Sequence, residues 1–85
     1  MTIKFGITTR AIWTMPIAQQ TADDANVKYE QMQAAGKTNG IPVITPDSPA
    51  AGELTSDRFW IDTAAAEEWA NFLVPYGPIS IEIIL

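Results

Sequence analysis

Apolar and polar residues alternate along the first part of the chain. From position 3 to position 15 the odd positions are mostly apolar, and the even positions are mostly polar. A period of two is typical of a β-strand that buries one face. Pro16 follows, and proline lacks the N–H donor that the interior of a strand needs. We therefore predict a strand over residues 3–15.

The next segment changes to the spacing of an amphipathic helix, over residues 21–36. Thr21 with Asp24 approximates a capping box at its start, and Gly36 fits the left-handed position just past its end. Apolar residues recur at intervals of three and four, at Ala22, Ala25, Tyr29, Met32 and Ala35. The sequence therefore predicts a helix with one buried stripe.

Gly36, Lys37 and Thr38 also resemble the end of a phosphate-binding P-loop. That motif needs another glycine five residues before the Gly-Lys pair, where this chain has Gln31. A P-loop also precedes a helix, whereas this tripeptide follows one. We interpret the tripeptide as a helix stop signal, in which Lys37 places a positive charge beside the last carbonyl groups.

A second helix is predicted over residues 64–73. Asp62 or Thr63 can cap its start, and Pro75 and Gly77 end it. Its apolar stripe is formed by Ala65, Ala66, Trp69, Phe72 and Leu73. Because Trp69 lies centrally on that stripe, we expect it in the core.

Three further segments have the pattern of strands, at residues 41–45, 55–62 and 78–85. In the middle one, Phe59 and Ile61 alternate with Arg58 and Trp60. The order strand, helix, strand, strand, helix, strand predicts two βαβ units with right-handed crossovers. We therefore expect a single α+β domain over residues 1–85 with the ferredoxin-like fold: a four-stranded antiparallel sheet, ordered 4-1-3-2, with both helices on one face.

Composition excludes several classes of function. The chain has no cysteine and no histidine, which removes disulfides, thiolate and imidazole catalysis, and the usual zinc ligands. A net charge of -5 disfavours nucleic acid and anionic membranes. No secretory signal and no membrane-spanning apolar run of about 18 residues is recognisable. We expect a cytoplasmic protein without a metal or a cofactor.

The side of the predicted sheet that the helices leave uncovered is the candidate functional surface. Strand alternation places on it Lys4, Thr8, Arg10, Arg58, Trp60, Ser80, Glu82 and Ile84. This side is compatible with plain solvent exposure, with packing against a second copy, or with single-stranded nucleic acid, which RNA-recognition modules bind through aromatic and basic residues on an open sheet. The net negative charge argues against nucleic acid.

The segment over residues 58–73, a strand that ends in Asp-Thr and enters an Ala-rich helix with an inner Trp, resembles the second half of small dimeric α/β-barrel proteins. In that family two ferredoxin-like subunits pack their sheets face to face, and some members degrade or oxidise small organic molecules. Catalytic members rely on a His, Asn, Trp or Tyr in the pocket, so the resemblance points to Trp60 and Trp13. The short acidic chain is also similar in style to small uncharacterised bacteriophage proteins.

Acidic pairs offer a further candidate chemistry, at Asp23-Asp24 and Glu67-Glu68. Both lie in opening helical turns, where negative charge complements the helix dipole, so we do not expect a metal site there. The function that we expect is a non-enzymatic binding or assembly module that forms a homodimer through the open side of the sheet or an edge strand. The predicted interface or ligand platform is Lys4, Thr8, Arg10, Arg58, Trp60, Glu82 and Ile84. The alternative is a dimeric α/β-barrel enzyme or small-ligand-binding protein with a pocket near Trp60 and Arg58.

Overall fold

A computed structural model describes residues 7–38 and 52–84 of the chain. The elements, in chain order, are β1 (Ile7–Thr14), α1 (Gln19–Ala34), β2 (Glu53–Trp60), α2 (Thr63–Leu73), a short 3₁₀ turn (Val74–Tyr76) and β3 (Ser80–Ile84). The chain thus combines two helices with antiparallel strands, which agrees with the α+β class that the sequence predicts.

The sheet has three strands in the described ranges, in the order β2-β1-β3, and both pairings are antiparallel. The prediction of a four-stranded ferredoxin-like sheet is therefore wrong. Its predicted strand at 41–45 lies outside the described residues. The pattern of alternation predicts where single strands lie, but it does not determine how many strands pair into one sheet. The central place of β1, between the strands predicted as third and fourth, is retained.

The register divides the side chains between two faces, because directly paired residues of antiparallel strands point to the same side. Both helices contribute to one core on the first side, which we call the helix face. The helix face carries Ile7, Thr9, Ala11, Trp13, Leu54, Ser56, Arg58, Trp60, Ile81 and Ile83. The opposite side, which we call the open face, carries Thr8, Arg10, Ile12, Thr14, Glu53, Thr55, Asp57, Phe59, Ser80, Glu82 and Ile84.

Three aromatic rings from three different elements form the centre of the core. The Trp60 ring lies 5.2 Å from the Trp69 ring and 5.9 Å from the Tyr29 ring, centroid to centroid. Trp60 is completely buried, and its indole Nε1–H donates a 2.9 Å hydrogen bond to the hydroxyl of Thr9. Each such aromatic pair contributes about 0.5–1.5 kcal/mol beyond the burial of its area. The cluster therefore joins β2, α1 and α2.

The prediction that Trp60 and Arg58 lie on the uncovered side of the sheet is wrong. Trp60 pairs with Ile7, which places both residues on the helix face. Since a strand alternates with a period of two, an error of one residue moves every side chain to the other side. β2 begins at Glu53, so Leu54 and Trp60 share a face, while Ile61 lies beyond the strand and is 54% exposed.

The end of α1 confirms the interpretation of Gly36 as a stop signal. Gly36 has φ of +75°, its N–H donates to the carbonyl of Gln33, and the N–H of Lys37 donates to the carbonyl of Met32. These are the two hydrogen bonds of a Schellman motif. The hydroxyl of Thr38 then donates to the carbonyl of Phe59 at 2.8 Å. The tripeptide that resembles a P-loop thus ends α1 and attaches that end to β2.

The helix starts are predicted with mixed success. Asp62 caps α2 as expected, since its carboxylate accepts a 2.8 Å hydrogen bond from the N–H of Ala65. The capping box at Thr21 is wrong, because α1 already begins at Gln19 after Ala18, which has no side-chain oxygen. Asp24 accepts instead from the amide of Gln20 at 2.7 Å, one turn earlier on the same helix.

Trp60→Ala is expected to lower the free energy of unfolding by about 3–5 kcal/mol, because it empties a fully buried site. Ile61→Ala, at the exposed neighbouring position, is the matched control and is expected to change it by less than about 0.5 kcal/mol. Urea denaturation followed by far-ultraviolet circular dichroism measures both. Equal effects of the two substitutions would contradict the placement of Trp60 in the core.

Candidate functional site

The structure separates the residues of the predicted platform. Thr8, Arg10, Glu82 and Ile84 lie together on the open face, where Thr8 pairs with Ile84 and Arg10 pairs with Glu82. Arg58 and Trp60 lie on the helix face. Lys4 lies outside the described residues. Four of the seven predicted residues are therefore neighbours, and their contact with a partner stays a prediction.

Arg10 on the open face is neutralised within the chain. Its Nε and Nη2 atoms each donate a 2.9 Å hydrogen bond to a different carboxylate oxygen of Asp57. Glu82 lies across from Arg10 on the other neighbouring strand. The hydrogen bond and charge of Asp57, with a smaller contribution from Glu82, raise the pKa of Arg10. The open face thus presents a paired cation next to the apolar side chains of Ile12, Phe59 and Ile84.

The helix face contains a half-open cleft of about 220 Å³. It lies between α1, β2 and α2, and Trp13 of β1 closes one wall. The larger apolar residues of its lining are Trp13, Ile17, Leu54, Trp69 and Leu73. Its polar part consists of Thr21, Asn26, Ser56 and Arg58. The cleft is therefore apolar with a few polar groups, the composition typical of small-molecule sites.

The cleft exists because α1 presents small side chains at this point. Ala22 and Ala25 line it from the first half of α1, whereas Tyr29 and Met32 fill the corresponding space further along and are buried. The backbone of α1 also approaches the sheet less closely than the backbone of α2 does. Because Ala22 and Ala25 are small, they leave a space between α1 and the sheet that larger side chains would fill.

Arg58 is the charged residue of the cleft lining. Its guanidinium carbon lies 4.1 Å from the centre of the Tyr29 ring and 5.5 Å from the centre of the Trp69 ring. Its Nε is buried and has no hydrogen-bond partner among the residues that the structure describes. Burial lowers the pKa of Arg58, and the charge and hydrogen bond of Tyr29 oppose that shift. The side chain still carries its positive charge at neutral pH, because a guanidinium loses its proton only far above that pH.

The sequence reasoning located this site only in part. Its alternative hypothesis placed a pocket near Trp60 and Arg58; Arg58 lines the cleft, while Trp60 lies outside the lining and contacts Trp69. The signal that could have found the site is Leu54, which shares its face with Arg58 when the strand starts at Glu53. An arginine on the same strand face as Leu54 and Trp60 indicates that its side chain lies against the core.

Ion pairs hold α1 against α2 beside the cleft. The Glu68 carboxylate on α2 accepts a 2.8 Å hydrogen bond from Lys28 of α1 and a second hydrogen bond from Lys37. The Tyr76 hydroxyl donates to Asp24 of α1 at 2.8 Å, which raises the pKa of Tyr76. The hydrogen bonds from Lys28 and Lys37 lower the pKa of Glu68. These contacts link α1 and the residue Lys37 after it to α2 and to the turn that follows α2.

The described ranges contain neither a cluster of metal-binding side chains nor a membrane-spanning helix. No group of three or more Asp or Glu side chains there is arranged to hold a metal ion. Neither helix is long and apolar enough to cross a membrane. Comparison with protein-family models, with curated proteins and with solved structures gave no match. The resemblance to dimeric α/β-barrel proteins therefore stays a hypothesis.

Glu68→Gln is expected to lower stability at neutral pH and to have no effect in acid. Because the folded-state pKa of Glu68 is below its ordinary value of 4.5, its contribution is complete above that value and is lost as pH falls through the folded pKa. Urea denaturation of both proteins between neutral pH and strong acid measures the difference. Glu67→Gln, at the exposed neighbour, is the control. A pH-independent difference would contradict the ion-pair contribution.

Proposed function

We propose that this chain binds a small ligand in the cleft between α1, β2 and α2. The cleft is the observation that carries the proposal, because it combines an apolar wall with polar groups that converge on one space. An engineered apolar cavity of about 150 Å³ binds benzene. By proportion, a cleft of about 220 Å³ accommodates a ligand of roughly nine non-hydrogen atoms.

The lining chemistry supports binding rather than catalysis. Trp13 and Trp69 contribute aromatic lining against which a flat molecule can pack. The hydroxyl and amide groups of Thr21, Ser56 and Asn26 donate and accept hydrogen bonds, and they have no pKa suited to moving a proton near neutral pH. Such groups orient a ligand. The function is therefore that of a small binding module.

Fragment titration followed by ¹⁵N NMR tests this proposal through the three tryptophan indole signals. We expect a bound fragment to shift the signals of Trp13 and Trp69, which line the cleft, more than that of Trp60, whose N–H is bonded to Thr9. Ala22→Phe is expected to abolish these shifts by filling the cleft, while the chain stays folded.

Ala34→Phe, on the exposed end of the same helix, is the matched control and is expected to leave binding unchanged. The proposal fails if no fragment shifts the Trp13 and Trp69 signals. It also fails if Ala22→Phe, shown to be folded by its NMR spectrum, binds as well as the wild type.

A second candidate function is self-association through the open face or the edge strand β3. The observation that favours it is the row of apolar side chains on a side that no described helix covers: Ile12, Phe59 and Ile84. Ile84 is 37% exposed, whereas Thr55 and Asp57 on the same side are buried. Within the described sheet β3 pairs on one side only, so a second copy of the chain would bury Ile84 and pair with that edge.

Light scattering coupled to size exclusion tests self-association. We expect a dimer at micromolar concentration for the wild type and a monomer for Ile84→Asp, which places a charge in the apolar row. Ile61→Asp, at an exposed residue outside the strands, is the control and is expected to leave the dimer intact. A monomeric wild type would reject this candidate.

A further inference from the structure

We infer that the ligand of the cleft is a small carboxylic acid with a flat apolar body, and that its carboxylate binds the guanidinium of Arg58. This inference rests on the proposed function and names the chemical class of the ligand.

The first argument is the unused hydrogen-bond donor. A guanidinium has five N–H donors in a fixed plane. The Nε of Arg58 is buried, so water does not satisfy it, and no described residue accepts a hydrogen bond from it. Buried polar groups without partners are rare in folded proteins and call for a physical explanation. Because Arg58 lines the cleft, a ligand oxygen there would add an acceptor to its guanidinium.

The second argument comes from the two arginines, Arg10 and Arg58, on opposite faces of one sheet. Arg10 uses its Nε and Nη2 atoms to hold both oxygens of the Asp57 carboxylate. Arg58 has no carboxylate partner among the described residues, although it is the more buried of the two. A buried charge is costly unless a counter-charge or hydrogen bonds compensate for it. A bound carboxylate would form with Arg58 the bidentate hydrogen-bonded pair that Asp57 forms with Arg10.

The third argument is that Arg58 is held in position before any ligand binds. Tyr29 hydrogen-bonds with this side chain, and the rings of Tyr29 and Trp69 lie 4.1 Å and 5.5 Å from its guanidinium carbon as cation–π contacts. Such contacts leave donors in the guanidinium plane free for a planar anion. A donor that is fixed in advance loses little conformational entropy on binding.

The fourth argument concerns the rest of the ligand. The space next to Arg58 is bounded by Trp13, Trp69 and Leu73, and Arg58 is the one cation among the described residues that line it. One cation matches a singly charged anion better than a doubly charged phosphate. Benzoate, with a flat ring and one carboxylate, matches the estimate of roughly nine non-hydrogen atoms.

Titration of the ¹⁵N-labelled chain with benzoate, benzamide and inorganic phosphate tests the inference. Benzamide has the shape of benzoate without its charge. We expect benzoate to bind about ten- to a hundredfold more tightly than benzamide, the usual range for hydrogen bonds to a charged group. It should shift the Nε–H signal of Arg58 and the indole signals of Trp13 and Trp69. Phosphate is expected to leave those signals unchanged.

Two matched substitutions complete the experiment. Arg58→Lys keeps the charge but removes the planar pair of donors, and it is expected to reduce benzoate affinity at least about tenfold. Arg10→Lys makes the same change on the open face and is expected to leave benzoate affinity unchanged. If Arg58→Lys does not fold, the comparison of benzoate with benzamide on the wild type decides alone.

The outcomes separate the inference from the function on which it rests. Equal binding of benzoate and benzamide in the cleft would overturn the carboxylate assignment and leave the ligand-binding function standing. Phosphate binding as tight as that of benzoate, or a loss of benzoate binding in Arg10→Lys equal to that in Arg58→Lys, would overturn the assignment as well. Absence of binding by any probe, charged or neutral, would overturn both.

Discussion

The contact on which the rest of this structure depends is the aromatic cluster of Tyr29, Trp60 and Trp69. Each ring comes from a different element, so the cluster joins α1, β2 and α2 at one point. In a domain of this size a single core carries the stability, because little surface is available to bury elsewhere. Rings with centroids 5.2 to 6.3 Å apart also provide the aromatic surface against which Arg58 lies.

The same cluster explains why a cleft forms beside the core. Tyr29 and Met32 anchor the second half of α1, whereas the first half contributes Ala22 and Ala25 above the sheet. The space that these alanines leave is bordered by the half-buried side chain of Arg58. A charged group next to an unfilled apolar space is costly for folding alone and useful for binding, because a matching ligand adds both contacts and a counter-charge. This combination connects the packing of the chain with its proposed function.

Features of the fold and of the candidate site that depend on residues close together in the sequence could be predicted, and features that depend on distant residues could not. Asp62 and Gly36 act on their own helix ends, and their roles were predictable from local spacing. The stripe around Trp69 was predictable for the same reason. The candidate site was predictable only in part: Arg58 was named for an alternative pocket, but on the wrong side of the sheet. The alternation of residues 55–62 is compatible with burial of either face of the strand. The start of β2 at Glu53, which decides between the two faces, was not recognised.

The sequence by itself determined the α+β class, the places of two helices and three of the strands, and the signals that end the helices, because these follow from spacing and backbone preference within a few residues. Only the tertiary structure decided which strands pair, which face of β2 is buried, and where a cleft remains. Those features depend on contacts between distant residues, such as Trp60 with Thr9 and Arg58 with Tyr29. A one-residue shift in a strand reverses its faces without changing its pattern, so the arrangement of neighbours in space had to make that choice.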